Sequence, residues 1–171
     1  MSLPVYLTDA AWLVFQLGVG YLFMSAAWGC WRFKDWTIAE TSLMFAKRGR
    51  FLAYCGMGIM AVGGAAVFVG AHDGVAGFVT RGAALALSMF VLFGAKIHAL
   101  DQAEARRLQT LIKADSKVGS AVSDLANSAV FAHVANVNKN RALAAVCLFL
   151  AFGPKPDVSV WSCLKVLLHL G

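Results

Sequence analysis

The side chains equipped for chemistry are few, and they are scattered. Four cysteines (Cys30, Cys55, Cys147, Cys163) and four histidines (His72, His98, His133, His169) are spread through 171 residues. No two cysteines form a C-x-x-C pair, so their spacing supports neither a zinc nor an iron–sulfur site. A bis-histidine haem requires two imidazoles at matched depth on facing helices, and only His98 with His133 approaches that condition. The chain has no G-x-S-x-G, no H-E-x-x-H and no phosphate-cradling glycine loop, so hydrolase and nucleotide chemistry have no footing. The expectation is a chain with no catalytic residue, no metal and no haem of its own.

The remaining candidates are polar groups set in apolar stretches, where each must find a partner. Gln16 and Ser88 fall near the middles of their stretches, so a hydrogen bond between them would satisfy both. A quinone carbonyl accepting from the Gln16 amide is the functional alternative. Asp9 and Arg81 fall near one end, where an ion pair would lock the first stretch against the third. At the opposite end Lys96, His98, Asp101, His133 and Asn140 make a second polar group, in which His98 is the residue placed to exchange a proton with a quinol.

The elements that must position these groups are membrane spans. Residues 6–28, 51–70 and 75–97 are nearly unbroken apolar runs. Each reaches the roughly 20 residues that cross ~30 Å of hydrocarbon. A fourth span is expected at 129–152, with Asn136, Asn138, Lys139 and Asn140 at its inner end. Arg32, Lys34, Lys47, Arg48 and Arg50 lie in the connection 29–50, and Lys96, Arg106, Arg107, Lys113, Lys117, Lys139 and Arg141 lie in or beside the connection 98–128. This bias predicts an all-α, integral membrane four-helix bundle with both termini, including the tail 153–171, on the outer, periplasmic side. The formal charge of +6 is then a topology and lipid-headgroup signal, and nucleic-acid binding is not expected. No charged n-region or A-x-A site precedes the first span, which is expected to be retained.

Small residues mark expected packing faces, because helices in lipid associate by close backbone approach. Gly56, Gly63 and Gly70 share a face seven residues apart, with Ala61 and Ala65 beside them; the first span offers Ala11, Gly18, Ser25 and Gly29, and the third Gly82/Ala86 and Ala84/Ser88. Trp12, Trp28, Trp31, Trp36 and Trp161 read mostly as interfacial anchors. In the long third connection Leu108, Leu111 and Ile112 alternate with charged residues, as in an amphipathic helix that continues the third span or lies on the inner surface. Two readings of that helix stand, a solvated extension that covers the end of the bundle and a docking surface for a partner at Leu108, Leu111 and Ile112.

Residues 56–98 carry a glycine-rich span, a short turn, Thr80-Arg81-Gly82 opening the next span and His98 closing it. Asn138-Lys139-Asn140-Arg141 then enters a last span that closes on Phe152-Gly153-Pro154. In this order of motifs, over most of its length, the chain resembles the DoxX-like family of small four-helix membrane proteins. It departs from the family in following Gly-Pro with Lys155 to Ser159 and in the length of its third connection. The resemblance implies an auxiliary subunit that organises partner membrane subunits of a bacterial inner-membrane redox complex, or a quinone-handling subunit of the thiosulfate:quinone type. A small-solute transporter is disfavoured by the scarcity of charge within the spans. Quinone or bound lipid is the ligand the resemblance admits; it supplies no catalytic motif to carry over.

Overall fold

The computed structural model describes residues 3–114, 119–153 and 159–168, and every regular element among them is helical. The order is α1 (Leu3–Arg32), α2 (Lys34–Phe45), a 3-10 turn (Ala46–Arg48), α3 (Gly49–Val69), α4 (Gly74–Ala114), α5 (Ser120–Phe152) and α6 (Val160–Leu167). Lys117, Lys155, Pro156, Asp157, Val158 and His169, with Pro154 of the closing motif, lie outside the described residues.

Three helical stretches, Asp9–Arg32, Lys34–Val69 and Gly74–Ala114, are long and apolar enough to cross a membrane. The expected fourth, 129–152, is part of the single helix α5 but is not among them. Asn136, Asn138, Lys139, Asn140 and Arg141 dilute its apolar character midway along. The connection 29–50 is itself helical, broken where Ala46 takes a positive φ of 45°. The connection 98–128 begins as an uninterrupted extension of α4, which settles the choice between an extension and a separate surface helix.

The chain divides into two compact units, Met1–Leu87 with Cys147–Gly171, and Ser88–Val146. In the first, α1 packs on α3, and Trp12, Gln16, Val19, Gly20, Phe23 and Ala27 are buried along α1 at helical spacing. The crossing is tight at two glycines. A Cβ on Gly20 would stand 2.5 Å from the Phe68 Cβ, and one on Gly64 3.0 Å from the Gly20 carbonyl oxygen. Gly63 lies under Leu87, itself fully buried, and Gly70 ends α3 in the left-handed conformation at φ 62°.

The packing face of α1 is therefore not the one expected. Gly18 and Ser25 are exposed, with nothing within 4 Å of a Cβ at Gly18 and the Ser25 hydroxyl donating to its own helix at Leu22. Gly63 and Gly70 are buried, Gly56 is half-buried, and of the α4 pairs Ala84 and Ser88 are buried while Gly82 and Ala86 are exposed. Trp12 is buried at 4% exposure, unlike Trp28, Trp31 and Trp36, which are open to the surroundings.

In the second unit, α4 and α5 run antiparallel, and their paired positions advance along one helix as they retreat along the other. The Ser88 hydroxyl donates to the Ala144 carbonyl at 3.1 Å, Gly94 admits the Asn140 amide, His98 meets His133, and the Gln109 amide donates to Asn127.

Candidate functional site

Two polar clusters result, one in each unit. In the first, Gln16 on α1 is 2% exposed, and its Nε2 lies 3.0 Å from Nε2 of His72 in the turn between α3 and α4. The direction of this hydrogen bond depends on the His72 tautomer, and in either direction it ties α1 to the turn after α3. Trp12 stands edge-on to His72 at 6.4 Å and stacks on Phe149 at 4.7 Å. The glycine that ends α3 makes this possible: a Cβ at Gly70 would fall 2.5 Å from the Gln16 carbonyl oxygen. Thr80 ties α4 to the same helix end by donating to the Ala66 carbonyl.

The sequence pattern links Gln16 to Ser88, but each takes a different partner, His72 and the Ala144 carbonyl respectively. His72 lies in a short turn, outside any periodic pattern, and only the placement of α1 reveals it. Arg81 donates to the Gly153 carbonyl at 3.4 Å. Asp9 is buried on α1 at 6% exposure. A helix C-terminus leaves carbonyls unsatisfied, and a guanidinium is well suited to one.

A groove of about 550 Å³ opens between α1 and α3, lined by Met24, Trp28, Trp31, Tyr54, Met57 and Ala61 among others. Its lining is mostly apolar and includes neither Gln16 nor His98.

In the second unit, His98 and Asp101, one turn apart on α4, meet His133 on α5. The imidazole centroids are 5.7 Å apart and the rings tilt by 46°. One ligand atom from each of the three residues lies within 4.8 Å of the others, and all three side chains are partly sheltered. This grouping is the set able to hold a metal ion among the described residues. Leu108 and Leu111 farther along α4 are 51% and 60% exposed, and Ile112 is half-buried.

Comparison with protein-family models, curated proteins and solved structures finds no match to this chain.

Proposed function

We propose that this chain is an integral membrane subunit without catalysis of its own, which organises partner membrane subunits of a bacterial inner-membrane redox complex. In this reading α1, the α2–α3 segment, α4 and α5 cross the bilayer as a four-helix bundle with both termini outside. The observation that carries it is the length and surface of α4. Its 41 residues extend about 60 Å, roughly twice the hydrocarbon thickness. The first half has the exposed apolar side chains that suit lipid, Val75, Phe78, Met89, Leu92 and Phe93. The second half is charged, so it stands in the cytoplasm, yet it keeps Leu108 and Leu111 open to solvent. With Arg106, Arg107 and Lys113 around them, these leucines suit a partner with an apolar face flanked by carboxylates. The redox setting is supported by the resemblance to DoxX-like proteins.

Engagement of the Gln16 amide with His72 favours this reading over a quinone site at Gln16. Charge insertion tests it. Leu111→Asp should weaken the assembly by about 2 kcal/mol, roughly a thirtyfold loss, if Leu111 is an interface anchor. The readout is co-purification of partner subunits in mild detergent, with turnover of the remaining complex largely kept. Undiminished assembly in Leu111→Asp and in Leu108→Asp would refute the docking role.

A further inference from the structure

We propose that His98, Asp101 and His133 form a binding site for a divalent first-row transition-metal ion, Zn²⁺ or Fe²⁺, that clips α4 to α5. The H-x-x-D spacing puts an imidazole and a carboxylate on one face of α4, as the E-x-x-H pairs of helix-bundle metal sites do. His133 brings the second imidazole from the antiparallel helix.

Three observations converge on a cation. The ligand atoms lie within 4.8 Å of one another. Ligands bound to Zn²⁺ at its usual bond lengths stand roughly 3.4 Å apart, so modest side-chain rotation closes the set. The His133 Nδ1 atom is buried and has no hydrogen-bond partner among the described residues. The three side chains are only partly sheltered, so water can complete the coordination shell.

The donor set decides the class of ion. Two imidazoles and one carboxylate suit Zn²⁺, Fe²⁺ and Co²⁺; the lack of thiolate or thioether among these residues disfavours Cu⁺, and the two nitrogens disfavour Mg²⁺ and Ca²⁺. Binding replaces protons on the imidazoles, so acidification should weaken it. The site joins α5 to α4, the helix that carries Leu108 and Leu111, and a bound ion would stiffen that pair. The proposal stands on the geometry of this unit alone and survives if the docking role fails.

The test uses the full chain in detergent, with any polyhistidine tag removed and metals stripped by a chelator, titrated with Co²⁺ and then Zn²⁺. About one Co²⁺ per chain should bind with low-symmetry visible bands that Zn²⁺ abolishes, and the thermal midpoint should rise with metal. His133→Ala and Asp101→Asn should each weaken binding by about a hundredfold or more. Asp35→Asn, on α2, should leave it unchanged. Asp101→Asn keeps the side-chain size, so it carries the test if His133→Ala does not fold, and circular dichroism reports the helix content of each. A folded wild type that takes up no Co²⁺, or binding equally strong in Asp101→Asn, overturns the site.

Discussion

Gly20→Ala should destabilise the detergent-solubilised chain by about 1–3 kcal/mol, the usual cost of overpacking a tight contact. Gly18→Ala, two residues away, should change stability by less than about 0.5 kcal/mol. The difference follows from what a methyl group would meet. At Gly20 it would stand 2.5 Å from the Phe68 Cβ and 2.7 Å from the Phe68 backbone, and backbone cannot move aside as a side-chain tip can. At Gly18 nothing lies within 4 Å. Alanine is also the better helix former, which at Gly18 offsets any residual cost and at Gly20 leaves the clash dominant. Thermal unfolding followed by circular dichroism would separate the pair. Equal shifts would mean that α1 presents a different face to α3.

Gln16→Leu is expected to cost about 1–3 kcal/mol, because it removes the amide that reaches the His72 ring inside a packed core. Leucine is close in volume, so the loss reports the hydrogen bond more than a cavity. Gln16 is 2% exposed and Trp12 at 4% closes the same cluster, so water has little access to replace the bond. The same variant separates a structural Gln16 from a quinone ligand. A structural Gln16 lowers the unfolding midpoint while turnover of the surviving complex persists. Quinone reduction abolished at unchanged stability and intact assembly would transfer the function to the quinone-site alternative.

The apolar runs made the helices legible, because a stretch such as 75–97 has few other ways to satisfy its backbone in lipid. Their faces were less legible. Seven-residue spacing links Gly18 to Ser25, yet the buried stripe on α1 runs through Trp12, Gln16, Val19, Gly20, Phe23 and Ala27, chosen by where Phe68 and Gly64 sit on α3. On α3 the seven-residue spacing of Gly56, Gly63 and Gly70 marked one face, and the structure encloses Gly63 under Leu87 and Gly70 against Gln16. His98, Asp101 and His133 were legible as members of one polar group but not as a metal-ligand set. Two of its three members stand one helical turn apart, and the third lies on a helix that only the antiparallel pairing of α4 with α5 brings across. Arg81 and Gln16 were identifiable as groups needing partners, but a backbone carbonyl and a turn histidine leave no periodic trace.

The central proposal is that the helices cross a membrane with the termini outside and the C-terminal half of α4 and the start of α5 in the cytoplasm. Single-cysteine variants labelled in intact cells with a membrane-impermeant thiol reagent test it directly. Cys163, exposed on α6, should label from outside. Cys30, near the end of α1, and a cysteine placed by Gly119→Cys ahead of α5 should label only after the cells are permeabilised. Labelling of Cys30 or of the Gly119→Cys variant in intact cells, with Cys163 protected, would contradict the orientation and move the docking leucines and the metal site to the opposite side.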